Sequence, residues 1–309
     1  MVNVAVAGGT GHLGRTIAEV LNQNADNEVL VLSRKPSPGL GLNVKAVDYA
    51  DVDQLTRVFE EHKIEVVISA LAMWHPGAGA SQINLIKAAD RSVNTKRFVV
   101  SHWGPHFPKE YLEGFSDIQD ELNAIEEASR SNLEWTIFRC GYLLDYFGMP
   151  HVKTHMPNIP FVVDVANKEA AIPGTGEQPV TFVYSFDLAK FVDAALRLPK
   201  WEHDTYVIGD QLTFNQFVRL AEKARGSAFT LHFDDVDKLK RFEITELPGH
   251  VESYASFPKE ELQRMLSTFA LGCANGLFET PYEKSLNKVF PEITPITADE
   301  FLRNSWEGR

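Results

Sequence analysis

Cysteine is almost missing from this chain: its 309 residues include two, Cys140 and Cys273, each inside an apolar stretch. Two thiols so far apart build no disulfide framework, and no Cys/His cluster has the spacing of a metal site. Both are expected to be reduced core residues, and no metal is expected. Positive charge is also short. The 30 Lys and Arg face 42 Asp and Glu, for a formal net charge of −12, which argues against nucleic acid as a main partner because phosphate backbones demand a basic excess. A local basic pocket for one small phosphate remains compatible with that balance. No apolar run approaches the roughly 18–20 residues that span a bilayer. The chain enters a strand at once, without a basic leader or cleavage site. A cytoplasmic protein with no membrane contact is the expectation.

What is present is an ordinary globular composition, 44% hydrophobic and 23% charged, with length for two joined lobes. The first half alternates short apolar runs with amphipathic stretches. Strands are predicted at Val2–Ala7, Glu28–Leu32, Val44–Val47, Val66–Ala70, Arg97–Ser101 and Trp135–Arg139. Helices are predicted at Thr16–Asn22, Asp51–His62, Ala80–Arg91 and Ser116–Arg130. Runs apolar on both faces suit strands of a parallel sheet, and the alternation implies right-handed βαβ units in a doubly wound α/β Rossmann sheet. Residues 145–182, rich in Pro, His, Asn and Gly, read as irregular. Helix returns at Phe186–Leu198, a strand at Thr205–Ile208, and a helix at Thr213–Arg225 behind a Thr213/Gln216 capping box; Thr297 and Glu300 open a terminal helix likewise. The expected division is a dinucleotide-binding lobe over 1–150, to which 180–225 returns, and a smaller, loop-rich C-terminal substrate lobe over 151–309. Segments 145–182 and 226–296 would cover the carboxyl ends of the strands, where ligands bind in open α/β sheets.

The strongest motif is Gly8-Gly9-Thr10-Gly11-His12-Leu13-Gly14, between the first strand and the first helix. Gly8 permits the tight turn, Gly11 lets the backbone approach a pyrophosphate, and Gly14 lets the helix pack closely on the sheet. The helix N-terminus then offers free N–H groups to the phosphates. Strand–turn–helix context is what gives such glycine spacing its meaning. At the end of the second strand, an NAD-selective site carries an acid for the ribose 2′-hydroxyl; this chain has Ser33-Arg34-Lys35. Two cations and a hydroxyl suit a 2′-phosphate, and Arg34 can grip it as a fork, so the expected cofactor is NADP(H). Asp48 would accept from the adenine amino group, with Ser69, Ala70 and Leu71 flanking the adenosine.

These residues resemble the NmrA-like and isoflavone-reductase-like group of atypical short-chain dehydrogenases. The glycine loop and Arg34 match, as do Phe98-Val99-Val100-Ser101 with Gly104 behind it, and Ile125-Glu126 leading to Trp135-Thr136-Ile137-Phe138-Arg139. The likeness is clear over residues 1–145 and holds in outline over 180–225. It implies an NADP(H)-dependent reductase of a small aromatic, quinonoid or conjugated carbonyl metabolite; some similar fungal proteins act in secondary metabolism. It also implies two alternatives: a non-catalytic NAD(P)-sensing regulator with a protein partner, or a non-redox isomerase or cyclase that retains the dinucleotide. Two departures from the pattern matter. No Tyr-x-x-x-Lys occurs in the first lobe. The lysine that the isoflavone-reductase branch carries at the start of the helix before the sixth strand is missing from Asp117-Ile118-Gln119-Asp120-Glu121.

Candidates for chemistry lie in the loop after the fifth strand, where the resemblance puts the nicotinamide ring and where Ser101 would meet the cofactor. His102 is a candidate general acid near neutral pH, or a structural hydrogen-bonder at a strand end. Trp103 and Phe107 would wall the ring or an aromatic substrate. Tyr142, after the sixth strand, is a second candidate proton donor. Trp74, in Trp74-His75-Pro76-Gly77, would sit on a glycine-hinged flap near the substrate. Asp117 and Asp120 are read as favouring the N-terminus of their helix. His151 and His155, at i, i+4 but off any helix, do not make a metal pair.

Overall fold

A computed structural model describes residues 1–114 and 117–309; Ser116, where the fourth helix is predicted to start, lies outside the described residues. The run Val2–Ala7 forms strand β1, and Val4–Ala7 are fully buried. It occupies the middle of a seven-stranded sheet with β2 (Asn27–Ser33), β3 (Val44–Ala46), β4 (Val66–Ser69), β5 (Arg97–Val99), β6 (Glu134–Arg139) and, far along the chain, β11 (Asp204–Tyr206). The order is β11-β6-β5-β4-β1-β2-β3 and every pairing is parallel. The chain reverses direction across the sheet between β1 and β4, and that reversal opens a crevice at their carboxyl ends.

Helices cover both faces, as the apolar runs require. On one side α1 (His12–Gln23) packs with α6 (Ser185–Ala195), burying Ile17, Leu21, Leu188 and Phe191. On the other, α2 (Val52–Glu61), α3 (Ala78–Arg91) and α4 (Asp117–Arg130) bury Phe59, Leu85, Ile86 and Ala124.

Residues 145–182 are largely irregular, as expected, and 149–162 carry no helix or strand, but the segment is not without regular structure. They hold α5 (Asp145–Gly148), β8 (Val163–Asp164), β9 (Glu169–Pro173) and β10 (Pro179–Val183). These strands are short; β8 and β9 pair with each other across a short turn, and the remaining partners are distant: β9 with β13 (Thr230–Asp234), β10 with β7 (Tyr142–Leu143) and β12 (Asp210–Thr213). Two to five residues carry too little periodicity to separate a strand from a loop. With α7 (Phe214–Arg225), α8 (Val236–Lys240), α9 (Pro248–Ser253), α10 (Lys259–Ala274), α11 (Leu286–Val289) and α12 (Ala298–Trp306) they complete the chain. In this second lobe Phe147, Phe182, Phe214, Phe217, Phe278 and Phe301 share one core. Of the 180–225 segment, α6 and β11 join the large sheet's layers, whereas α7 packs on α12. The Thr213 box is formed on both sides, and Thr297 accepts from the Glu300 N–H. Both cysteines are buried free thiols. Among the described residues, no helix is long and apolar enough to cross a membrane.

Candidate active site

The glycine loop has the geometry of a phosphate cradle. Gly8 sits at φ 81°, and a β-carbon there would stand 2.4 Å from the Ala70 carbonyl oxygen; one on Gly14 would stand 2.5 Å from the Gly8 oxygen. Both positions are closed to side chains by backbone. Gly11 is different. Its φ of −151° is extended, and a β-carbon would meet nothing within 4 Å. The glycine there keeps open space over the start of α1, whose N-cap has no side-chain hydrogen bond. First-turn N–H groups are thus left for an anion. His12 follows at φ 49° with a buried, unpartnered Nδ1. Burial, and then the nearby His75, hold its imidazole below the ordinary value.

From this loop a cleft runs outward between Gly8, Thr10, Gly11 and His12 on one side and Leu32, Ser33, Arg34 and Tyr49 on the other, walled by Ala70–Ala72 and His75–Ala78. Arg34 is exposed and its guanidinium has no partner among the described residues. Two expected contacts are absent from the lining. Lys35 is exposed and not among the lining residues, and Asp48 is exposed with its Oδ1 accepting from the Ala50 N–H at 2.9 Å. A strand-end carboxylate closes its own turn more cheaply than it reaches across a cleft. The next residue, Tyr49, lines the cleft instead, its hydroxyl donating to the Leu32 carbonyl at 2.9 Å. Residue order alone gives no sign of that swap. A dinucleotide fits this set: a cradle that a β-carbon would fill, an orphaned ring nitrogen beside it, and a free guanidinium at the far end.

Inward, the cleft continues past His12, Ala70, Leu71 and Ala72 into a second cavity. Leu13, Trp74, Ser101, His102, Trp103, Phe107 and Tyr142 all line it, as the sequence suggests. The other wall is the second lobe, which adds Tyr146, Met156, Ile159, Phe161, Phe257, Met265 and Phe269. Twenty phenylalanines announce an apolar interior, yet nothing local marks which of them reach the site. Trp74 is 38% exposed and bridges the mouth, edge-on to His12 at 5.4 Å and 6.2 Å from Phe257. Trp103 stacks on Phe138 at 5.3 Å and donates its indole N–H to the Ser69 carbonyl at 3.2 Å. Ser101 ties three elements together: its N–H donates to Gln82 at 2.6 Å and its hydroxyl to the Leu71 carbonyl at 3.0 Å. Phe107 is fully buried, 5.5 Å from Tyr111 and 5.2 Å from Phe269, so it backs the wall from within the core.

Neither expected proton donor is placed to serve as one. His102 is buried, with Nδ1 3.1 Å from Glu121 and Nε2 3.2 Å from the Pro105 carbonyl. Burial pushes its imidazole down to about 4, against the pull of Glu121. The ring is neutral at pH 7. A neutral imidazole donates from one nitrogen only; Nε2 faces the Pro105 carbonyl, while Nδ1 lies near a Glu121 carboxylate whose oxygens have no hydrogen-bond partner among the described residues. Its work is to brace the 101–107 loop against α4. Tyr142 is stacked on Phe278 at 4.6 Å and edge-on to Phe161 at 5.1 Å, with the Cys273 thiol 3.7 Å from its hydroxyl. Burial raises its phenol well above the ordinary value, and next Cys273 raises it further. Among the described residues, no Lys or Arg lines the cavity to support a phenolate.

Behind His102 lies a charged cluster that sequence reading missed. Arg139, at the end of β6, stands 2.8 Å from Glu121 and 2.7 Å from Asp204. Glu121 has a signal in its spacing. Ile118, Glu121, Ala124 and Ala128 are the buried residues of α4, at steps of three and four, so Glu121 falls on the core face. Asp117 is the second surprise. Beyond opening α4, it lines the apolar cavity, and its carboxyl has no partner among the described residues. Burial, and then Asp120, push it up to about 6. His151 and His155 are apart in their contacts, one edge-on to Trp306 and the other 2.9 Å from Glu19.

Comparison with known proteins follows the same outline. The sequence model described as "NAD(P)H-binding" matches residues 8–157, from the glycine loop through β6 and into the second lobe. Over nearly the whole chain the protein is similar to the oxidoreductase BOA1 of Botryotinia fuckeliana (33% identity, 96% of each chain). It is likewise similar to the oxidoreductase swnN of Metarhizium robertsii (30% identity, 99% of this chain and 98% of the other). Two solved structures share the fold: AtPrR2 with NADP+ and (+)pinoresinol (TM-score 0.74, 21% identity, 98% of each chain) and an isoflavone reductase (TM-score 0.70, 21% identity, 97% and 98%). The fold and cleft define an NAD(P)-dependent oxidoreductase. The chain belongs to the NmrA-like, isoflavone-reductase-like family of atypical short-chain dehydrogenases.

Proposed function

We propose that this protein is an NADP(H)-dependent reductase of a small, flat, uncharged molecule carrying a conjugated carbonyl or quinone group. The observation that carries this reading is the single cleft joining a phosphate cradle to an apolar aromatic cavity. Gly8, Thr10, Gly11, His12, Leu13 and Gly14 would hold the pyrophosphate and Ser33 with Arg34 the 2′-phosphate. Leu32 and Tyr49 would bound the adenosine, while Ala70, Leu71 and Ser101 line the way inward. When bound, the dinucleotide supplies a hydride. The protein's part is to orient the acceptor and exclude water.

The substrate class follows from the lining. No Lys or Arg is among it, so a carboxylate or phosphate substrate would enter without a counter-charge, which burial penalises heavily. Trp74, Trp103, Phe161 and Phe269 offer flat faces, and aromatic surfaces favour planar, conjugated partners. The proposed division of labour assigns 1–150, with part of 180–225, to the dinucleotide and 151–309 to the substrate.

The test is oxidation of NADPH by purified protein against a panel of quinones, enones and aryl ketones, with NADH alongside. Turnover of at least one uncharged conjugated carbonyl, faster with NADPH, is expected. A protein that binds NADPH tightly and oxidises it with none of the panel would overturn the reading.

A further inference from the structure

We propose that Asp117 is the catalytic acid of this site: its carboxyl, at the start of α4 and on the wall of the apolar cavity, gives a proton to the oxygen of the carbonyl being reduced. The assignment rests on the reductase reading above and adds to it the group that completes the reaction.

The geometry comes first. Asp117 opens α4 and lines the apolar cavity together with His102, Trp103, Phe107 and Phe269. It is partly buried, and no hydrogen bond or ion pair holds it among the described residues. A carboxyl removed from water and left unpaired is costly as an anion. Evolution routinely spends such a cost at reacting centres. The other polar side chains around the cavity are committed. His102 has Nε2 on the Pro105 carbonyl and Nδ1 3.1 Å from Glu121, the Ser101 hydroxyl donates to Leu71, the Trp103 N–H donates to Ser69, and the Tyr142 hydroxyl lies in the core against Cys273.

The N-terminus of α4 favours the Asp117 anion; the side chains that face Asp117 favour the proton-carrying carboxyl. Asp120 follows one turn along α4, against Gly79 of α3, and its negative charge opposes ionisation of Asp117. Glu121 is turned the other way, to Arg139 and His102. Around the cavity the titratable side chains are His12, His102, Tyr142 and Tyr146, all neutral at pH 7 or held below their ordinary charge. Lys109 and Glu110, on the turn packed before α4, are exposed. Burial and Asp120 together push the Asp117 carboxyl up to about 6, and each apolar occupant that displaces water pushes it further in the same direction.

The step balances without another reagent. The hydride brings its electron pair to the carbonyl carbon, and the carbon–oxygen π pair moves to oxygen. The O–H bond of Asp117 breaks as a new O–H bond forms on that oxygen. The carbonyl is reduced to an alcohol, the dinucleotide is oxidised, and water returns a proton to Asp117. Asp117 would become negative as a bound nicotinamide became positive, so beside that ring the product charges would attract.

That last relation allows a test that needs no substrate. The ratio of the dissociation constants of NADPH and NADP+ is measured from pH 5 to pH 8 by fluorescence titration. The 2′-phosphate is common to both and cancels. With Asp117 facing the ring, NADP+ gains on NADPH by about fivefold as the pH rises through the Asp117 pKa, and Asp117→Asn abolishes the change while still binding both forms. Using an uncharged quinone or enone that the wild type turns over, Asp117→Asn lowers kcat by about a hundredfold or more and removes the alkaline limb of the kcat profile; Asp117→Glu restores part of both. A ratio independent of pH, or one that shifts equally in Asp117→Asn, overturns the assignment. A ratio that shifts as expected in a protein with no turnover leaves Asp117 at the ring and overturns the reductase reading instead.

Discussion

The guanidinium of Arg139 and the carboxylate of Glu121 meet at 2.8 Å in a place where neither is more than about a twentieth exposed. β6 delivers the cation and α4 the anion, so the pair fixes the helix that carries Asp117 to the sheet that carries the cofactor. His102 leans on the same carboxylate from the loop after β5. Three elements of the site are thus located by one acidic side chain.

Breaking that pair from one side should be severe. Glu121→Ala leaves the buried Arg139 with Asp204 as its one remaining anion among the described residues, beside a 3.5 Å contact to the His106 ring, and removing one partner of a buried pair typically costs about 3–5 kcal/mol. Urea unfolding should show a loss of this order, against under about 1 kcal/mol for Glu126→Ala, whose i,i+4 partner Arg130 is solvent-exposed. Equal effects would show that the cluster bears no special weight.

The two glycines of the loop should fail differently. Gly8→Ala puts a methyl group 2.4 Å from the Ala70 oxygen at a left-handed φ, so loss of stability is expected, of about 2 kcal/mol or more. Gly11→Ala has no steric conflict in the free protein. Its melting temperature should stay within a few degrees of wild type while NADPH affinity falls at least about tenfold, because the methyl group enters the phosphate space. Calorimetry and binding titration separate the two cases.

Arg34 should govern the choice of dinucleotide. Arg34→Ala is expected to raise the dissociation constant of NADPH by about 10- to 100-fold, as loss of a charge-assisted fork does, and to change that of NADH by less than about threefold. Lys35→Ala, at a residue outside the cleft lining, should leave both nearly unchanged. A larger loss with Lys35→Ala than with Arg34→Ala would show that the lysine carries the 2′-phosphate.

The ionisation of Asp117 also has a thermodynamic side. Its folded pKa, about 6, lies above the ordinary carboxylate value of 3.8, so folding binds a proton between those values. Stability from this residue is present below about pH 4 and is lost as pH rises through 6. Asp117→Asn should therefore stabilise the free protein at pH 7 by about 1–2 kcal/mol after allowance for partial exposure, and by nothing near pH 4. Thermal melts of both proteins at the two pH values check the sign. His102 acts oppositely: its imidazole, held at about 4, withdraws stability as pH falls through the ordinary histidine range.

How far the residues themselves disclose this molecule depends on where their constraints are local. The glycine loop is legible because Gly8 and Gly14 answer to backbone a few residues away, and β1, β2 and β4 because burial on both faces leaves one kind of residue. β9 and β10 are not: β8, the local partner of β9, is two residues long, and the other partners, β13, β7 and β12, lie tens of residues away. Asp48 misleads because a strand-end position does not say which way a carboxylate turns, and Tyr49 fills the place on packing grounds. Asp117 carries two messages at once. Its position at a helix start explains it fully by electrostatics, and only the arrival of Phe257, Met265 and Phe269 from the far end of the chain turns that solvated face into a cavity wall.

The pairing of β11 with β6 has a consequence for synthesis. Thr205 lies opposite Phe138, and Asp204 reaches Arg139, so the dinucleotide-binding sheet is finished by residues that leave the ribosome more than sixty positions after β6. Until then β6 is a bare edge carrying a charge without its full set of partners, the sort of surface that recruits stray strands. Folding of the cofactor lobe and emergence of the substrate lobe are therefore one event, and a fragment ending near residue 150 should aggregate where the full chain does not.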